Sequence, residues 1–122
     1  MYQTTSMVTR NTDKPLPAAS MHLLLALLRG ENHGYGLMRL VDEQSQGTVR
    51  MGPGTLYGTL NRLLAGDLIE ETTAEHDDAV SDRRRYYRLT GEGERIARVE
   101  LGRLRGLVNR FRGVAGLGGA PA

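Results

Sequence analysis

The 122-residue sequence contains no cysteine and no tryptophan, and it has only one phenylalanine and five tyrosines. Without cysteine the chain has no disulfide, no thiolate metal site and no cysteine nucleophile. Its core is expected to consist of Leu, Ile, Val and Met side chains. The longest apolar run, residues 21–28, is too short to span a bilayer, and the N-terminus shows no apolar signal core. We therefore expect a cytoplasmic protein that does not enter a membrane.

Lysine is also nearly absent, because fifteen of the sixteen basic residues are arginine. The formal net charge of +2 hides an uneven distribution. Residues 83–112 contain ten Arg and three Glu, a balance of +7, and the rest of the chain has a balance of −5. Arginine binds phosphate through its planar guanidinium, although GC-rich coding also favours arginine. A local basic excess is typical of nucleic-acid-binding domains. At this length one compact domain is expected.

Residues 53–65 form the predicted helix on which the functional interpretation depends. Pro53 suits a first helical position, and Gly66 suits the residue after the last turn. One side is apolar and repeats at helical spacing: Leu56, Leu60, Leu63 and Leu64. The other side carries one cation, small hydrogen-bonding residues and no carboxylate, which suits close contact with DNA in the major groove. Taken alone, the stretch fits equally well a plain amphipathic helix whose exposed side lacks acids by chance.

The order of the other predicted elements is that of a winged helix-turn-helix. Two helices, at residues 17–30 and 35–46, precede the helix at 53–65, and residues 48–51 are β-branched enough for a short strand. Two strands follow, at residues 68–75 and 83–89, with a polar connection between them. The predicted fold is therefore mainly α with a small β-hairpin. Its domains are a flexible arm (1–14), the winged helix-turn-helix (15–90), a C-terminal helix (91–113) and a flexible tail (114–122).

Arginines 83, 84 and 85 begin the second strand of the hairpin, where they are well placed to contact phosphates. Alternatively, they form a solvated cluster that Asp77, Asp78 and Asp82 neutralise.

The C-terminal helix, residues 91–112, is predicted to hold two copies of the chain together. Thr90 suits its N-cap, although Gly93 occupies the position where Glu or Gln would complete a capping box. Its apolar residues recur at intervals of four and three, as in a coiled-coil heptad: Ala97, Leu101, Leu104, Val108 and Phe111. A homodimer is favoured by this pattern over packing of the helix on its own domain alone.

The sequence offers no catalytic, metal or cofactor site. His22 lies inside an apolar helix and is expected to be a packed or capping side chain, and Asp42 and Glu43 are expected to face solvent. The three histidines lack metal-ligand spacing, and no Lys-Ser/Thr pair follows the glycines near residue 54 to form a phosphate-binding loop. An enzyme is therefore not expected.

Several segments together resemble the PadR-like transcriptional regulators. They are HGYG at residues 33–36, GPGTLY at 52–57, LNRL at 60–63, GDLI at 66–69 and RRYYRLT at 84–90. The resemblance extends over residues 15–112. It implies a winged-helix repressor that is homodimeric through its C-terminal helix, binds double-stranded DNA, often responds to a small aromatic or lipophilic effector, and uses no metal or cofactor.

The resemblance also assigns DNA-binding roles. Tyr35 would lie near the DNA backbone, and Thr55 and Tyr57 would donate to phosphates. The residues nearest to base edges would be Thr59, Asn61 and Arg62. The start of the recognition helix would also contain Pro53 and Gly54, and the base of the wing would contain Arg83 and Arg84.

The sequence departs from the family pattern at three places. Gly58 replaces a proline that many members have, the wing tip is acidic, and the C-terminal part is one helix. We expect a repressor that binds a palindromic operator as a homodimer. The alternative is a winged-helix protein-interaction module, which would be favoured if the arginines of the interface were paired with acids of the same chain.

Overall fold

The computed structural model describes residues 16–72 and 85–114. Four helices and three short strands make up this part of the chain: α1 (Ala18–Leu28), β1 (Asn32–His33), α2 (Gly34–Gln44), α3 (Pro53–Ala65), β2 (Ile69–Thr72), β3 (Tyr86–Leu89) and α4 (Gly91–Arg110). The strands form one antiparallel sheet in the order β1-β3-β2. The predicted mainly α fold with a small hairpin is confirmed, and α3 has the predicted bounds. The predicted arm, Arg83 and Arg84, the wing tip and nearly all of the predicted tail lie outside the described residues.

Helix α1 lies at the centre of the core, as its continuous apolar sequence predicts. It packs against α2, α3, α4 and β3. Its side chains Leu23, Leu24 and Ala26 are completely buried. The other helices and the sheet bury their apolar faces against it through Leu37, Val41, Leu56, Leu60, Leu63, Ile69, Tyr87, Ile96 and Ala97. Because α1 contacts every other helix, it fixes the position of α3 relative to α2 and α4.

The strand predicted at residues 48–51 is wrong, because this segment is a tight turn between α2 and α3. Gln46 and Gly47 both have positive φ, at 54° and 79°, which ends α2 at Gln44 rather than at Gln46. The Ser45 hydroxyl accepts from the Val49 amide at 3.0 Å. The third strand of the sheet is instead Asn32–His33, which pairs with β3 so that His33 lies opposite Tyr86. Strand β1 therefore occupies the edge of β3 opposite the one that pairs with β2.

Helix α4 begins at a point that is fixed to the turn before β2, immediately before the start of that strand. The Thr90 hydroxyl accepts from the Gly93 amide at 3.0 Å, which confirms Thr90 as the N-cap, and it donates to the Asp67 carbonyl at 2.7 Å. A Cβ atom at Gly93 would collide with the Leu68 carbonyl. The capping box is incomplete because this close contact leaves no room for a side chain at the third position of the helix.

Only the first half of α4 belongs to the core of its own chain. Ile96 and Ala97 are buried, and the buried stretch ends at Glu100, whose carboxylate pairs with Arg103. The prediction that Ala97 takes part in the dimer seam is therefore corrected, because Ala97 is 1% exposed within the monomer. The second half extends past the core. Among the described helices, none is long and apolar enough to cross a membrane.

Candidate nucleic-acid interface

Helix α3 buries one side in the core and exposes the other without any carboxylate. Its buried residues are Leu56, Thr59, Leu60 and Leu63. Its exposed side includes Pro53, Gly54, Thr55, Tyr57, Asn61 and Arg62. A Cβ atom at Gly54 or Gly58 would meet nothing within 4 Å. The fold of this chain therefore does not require glycine at either position, whereas close approach of a nucleic-acid backbone would benefit from it.

The structure corrects the prediction that Thr59 reaches a base edge. Thr59 follows Leu56 by three residues, so helical geometry turns it toward the core, where its exposure is 0%. Its hydroxyl donates to the Thr55 carbonyl at 2.8 Å and accepts from Arg62 Nη2 at 3.3 Å. Thr59 thus contacts Arg62 rather than facing outward itself.

Arg62 is exposed and carries the cation of the α3 surface. Within residues 16–72 and 85–114 it forms no ion pair, and its bond to Thr59 holds one edge of the guanidinium. A guanidinium has five N–H donors, so this bond leaves most of them unused. The protein-interaction alternative is favoured if Arg62, Arg83 and Arg84 are paired with acids of the same chain. For Arg62 this condition is not met among the described residues, and Arg83 and Arg84 lie outside them.

The HGYG segment positions the start of α2 beneath a tyrosine of α3. His33 caps α2, because its Nδ1 accepts from the Gly36 amide at 3.0 Å. A Cβ atom at Gly34 would lie 2.5 Å from the Tyr57 hydroxyl, and one at Gly36 would overlap the side-chain amide of Asn32. Gly34 therefore leaves room for the Tyr57 hydroxyl over the first turn of α2, and Gly36 leaves room for the Asn32 side chain. Tyr35 and Tyr57 remain 63% and 45% exposed.

Sequence reasoning missed the capping role of His33. The signal was present in its position immediately before the helix, but histidine is outside the group of usual N-cap residues. The His33 ring also meets Tyr86 edge-on at 5.4 Å, which joins the start of α2 to the sheet.

The described part of the wing holds its arginines against its own acids. Arg88 Nε lies 2.8 Å from the Glu70 carboxylate on the neighbouring strand, and Arg85 lies 3.6 Å from that of Glu71. Both pairs are exposed to solvent. Arg85 was expected to be well placed for phosphates, and a phosphate would have to compete with Glu71 for it. Arg83 and Arg84 lie outside the described residues.

One phenol and one carboxyl group have shifted pKa values. Burial raises the pKa of Tyr87, and the Glu71 carboxylate raises it further. A hydrogen bond from Arg95 lowers the pKa of Glu92 in the first turn of α4. Glu92 is thus ionised at the positive end of the helix dipole, where a negative charge stabilises the helix. Within the described ranges no group of three or more His, Asp or Glu residues could hold a metal ion.

A pocket of about 560 Å³ lies where the start of α1, the end of α3 and the start of α4 meet. Its apolar lining comes mainly from Leu16, Leu63, Leu68 and Ile96, and its polar lining from Ser20, Arg62 and Glu92.

The exposed half of α4 presents a continuous apolar surface, which we call the α4 stripe. Its large side chains are between 44% and 64% exposed: Leu101, Leu107, Val108 and Phe111. Leu104 lies between them and is half-buried. By helical spacing these residues continue the same side of the helix that buries Ala97. The α4 stripe is therefore a prolongation of the core-facing side beyond the edge of the core.

Comparison with known proteins gives one family and one fold. The model of the transcriptional regulator PadR-like family matches residues 23–99. A PadR family transcription regulator from hypervirulent Clostridium difficile is 21% identical, with a TM-score of 0.61, covering 79% of this chain and 98% of that chain. A transcriptional regulator from Clostridium thermocellum is 21% identical, with a TM-score of 0.59, covering 79% and 91%. RosR of H. salinarum is 25% identical, with a TM-score of 0.58, covering 84% and 81%. No curated protein matches the chain in sequence.

Proposed function

Because the chain belongs to the PadR-like transcriptional regulator family, we propose that it is a cytoplasmic, sequence-specific repressor that binds a palindromic operator as a homodimer. The observation that carries this proposal is the exposed side of α3, which has hydrogen-bonding side chains, no carboxylate, and an arginine that forms no ion pair within residues 16–72 and 85–114. Such a surface meets the chemical needs of a helix in the major groove, where phosphates repel acids and base edges require donors and acceptors.

The residues of α3, together with Tyr35 of α2, have distinct roles in this proposal. Thr55 and Tyr57 donate to phosphates, and Tyr35 contacts the backbone beside them. Asn61 and Arg62 read base edges, because an amide pairs well with adenine and a guanidinium pairs well with guanine. Thr59 orients Arg62 through its hydroxyl, which accepts from the guanidinium. Pro53 and Gly54 begin the helix, and because both residues are small they keep its first turn narrow.

The proposed dimer forms along the α4 stripe. Leu101, Leu104, Val108 and Phe111 keep the spacing of a heptad seam, and Leu107 lies beside them. Exposed apolar residues in a contiguous row on a small protein favour burial against a partner. Two protomers that meet there would present two α3 helices to successive major grooves, about 34 Å apart.

We further propose that a small lipophilic or aromatic effector releases the operator. The pocket between α1, α3 and α4 supports this, because about 560 Å³ is within the range of small-molecule sites. Its lining includes residues of both the recognition helix and the dimer helix. A ligand that prefers one arrangement of these helices would shift the population toward that arrangement.

The second candidate function is a protein-interaction module, and the paired arginines of the wing favour it. If Arg83 and Arg84 are neutralised as Arg85 and Arg88 are, the wing would add little to DNA binding and α3 would have to supply most of it.

Fluorescence anisotropy tests the proposal with a duplex from the region upstream of the gene and a shuffled duplex, at low and near-physiological salt. The wild type should retain binding to the upstream duplex alone at the higher salt, because base contacts resist screening better than phosphate contacts do. Arg62→Ala should weaken this binding by about tenfold to a hundredfold, as expected for one lost bidentate base contact. Arg105→Ala, an exposed arginine of α4, is the matched control.

If the Arg62→Ala variant binds as tightly as the wild type, Arg62 is not one of the residues that contact DNA. If the wild type binds neither duplex at low salt, the interaction module becomes the better description.

A further inference from the structure

A depression of about 220 Å³ lies between α2 and the segment that leads into α3. Its lining is unusual for so small a surface because it brings together two arginines, a phenol and one carboxylate on a methionine floor. The lining residues are Tyr35, Met38, Arg39, Asp42, Arg50 and Met51. Among them, only Tyr35 has been given a role in DNA binding.

Arg39 and Tyr35 present their donors on the same face of α2. They are four residues apart, so they are neighbours along the helix surface, one turn from each other. Both are exposed. Within residues 16–72 and 85–114 Arg39 forms no ion pair, so no carboxylate of the described residues occupies its guanidinium.

Arg50 is held at this place by the turn between α2 and α3. The Ser45 hydroxyl accepts from the Val49 amide at 3.0 Å, and the Thr48 hydroxyl donates to the Ser45 carbonyl at 2.8 Å. Met51, the next residue, is buried in the core. Arg50 therefore projects from a backbone fixed on both sides, just before α3 begins at Pro53.

Asp42 is the carboxylate that faces this arginine. Its Oδ1 lies 3.6 Å from Arg50 Nε, and the two side chains are 48% and 74% exposed. An ion pair this open exchanges readily with solvent and with other anions. Asp42 therefore reduces the positive charge of the depression without closing it.

We propose that Tyr35, Arg39 and Arg50 form a binding site for a phosphodiester of the DNA backbone, and that Asp42 competes with this phosphate for Arg50. The inference rests on the proposed function. In helix-turn-helix proteins the helix before the recognition helix crosses the backbone, which places α2 and the start of α3 beside a phosphate. Arginine forks and a phenol hydroxyl are suitable donors to phosphate oxygens.

The two halves of this proposal predict opposite changes in affinity. Removing Arg39 or Arg50 takes away a phosphate contact, which weakens binding to any duplex and releases one counterion fewer. Neutralising Asp42 frees Arg50 and removes a repulsive charge, so binding becomes tighter. A variant that merely unfolds cannot produce a gain in affinity, so the Asp42 substitution separates the proposal from a loss of structure.

The test is a salt titration of duplex binding by fluorescence anisotropy, with the upstream and the shuffled duplex. For Arg39→Ala and Arg50→Ala the slope of log affinity against log salt should be shallower by about 0.9 each. Asp42→Asn should bind about twofold to fivefold more tightly at low salt, the range that an exposed ion pair represents. Arg98→Ala and Glu94→Gln are matched controls, because this exposed pair on α4 has nearly the same exposure and lies outside the helix-turn-helix.

Slopes of Arg39→Ala and Arg50→Ala that equal the wild-type slope would overturn the phosphate site while leaving the proposed function intact. An Asp42→Asn variant that binds no more tightly than Glu94→Gln would overturn the competition. A wild type that binds neither duplex would overturn the proposed function and, with it, this site.

Discussion

Gly93 and Gly58 both lie inside helices, but the surroundings of the two residues differ. A side chain at Gly93 would strike the Leu68 carbonyl, which belongs to the backbone and cannot move aside like a flexible side chain. A side chain at Gly58 would meet nothing within 4 Å of its own chain. Glycine weakens a helix by roughly 1 kcal/mol relative to alanine. Gly93 is thus explained by packing within the chain, whereas the described part of the chain gives no reason for glycine at position 58, where the proposed contact with DNA would favour a small residue.

Gly93→Ala should destabilise the protein by about 2–3 kcal/mol, because the added methyl group forces α4 away from Leu68, just before the start of β2, and strains the Thr90 cap. Urea denaturation followed by circular dichroism measures the free energy of unfolding. Gly102→Ala is the control in the same helix, where a Cβ atom meets nothing within 4 Å. That variant should be more stable than the wild type by about 0.5–1 kcal/mol. Equal effects of the two substitutions would show that the Leu68 contact is not tight in solution.

At the scale of elements, one side of α4 lies in two different surroundings. Up to Glu100 this side packs on the core of its own chain, and from Leu101 onward its large side chains are exposed, except for the half-buried Leu104. The heptad spacing runs through both halves, because the residues on one side of a helix recur in the same way whether or not anything covers them. The end of the core therefore divides α4 into an intrachain part and the α4 stripe.

Val108→Glu should raise the dissociation constant of the dimer by at least about tenfold, since a carboxylate in an apolar interface loses its hydration. Val108 is 64% exposed in the monomer, so the substitution should leave the unfolding free energy of the monomer nearly unchanged. Sedimentation equilibrium measures the dissociation constant. Asn109→Glu adds the same charge at the next exposed position, outside the α4 stripe, and should dimerise like the wild type. A dimer that survives Val108→Glu would place the interface on another surface.

At the scale of the whole molecule, the sequence predicts elements well where local residues determine them. The bounds of α3 follow from Pro53 and Gly66 together with four leucines at helical spacing. Strand β1 was missed because neither Asn32 nor His33 favours a strand, and their extended conformation comes from pairing with β3. A strand was expected at 48–51 because this segment contains β-branched residues. The segment turns instead, and the hydrogen bond of the Ser45 side chain that holds the turn is not visible in the local sequence.

Two side chains of the candidate sites were misassigned for reasons of position. The family resemblance assigned Thr59 to a base edge, whereas its place three residues after Leu56 turns it into the core. Ala97 was assigned to the dimer because it keeps the heptad spacing, and spacing identifies a side of a helix without showing where the core ends. Both errors have the same cause. A sequence pattern indicates the side of a helix on which a residue lies, but it does not show how far the surface that packs against the helix extends.

The proposed dimer along the α4 stripe would hold its two α3 helices at a fixed separation and on one face of the DNA. Inserting about five base pairs between the half-sites, located by footprinting, rotates one half-site by half a turn and moves it about 17 Å further away. Affinity measured by anisotropy should then fall by at least about a hundredfold, toward that of a single half-site, because the second head no longer binds intramolecularly. Base substitutions within the spacer that keep its length are the control and should have little effect. Equal affinity for the lengthened site would mean that the two heads bind independently, and the α4 stripe would then serve some purpose other than setting operator spacing.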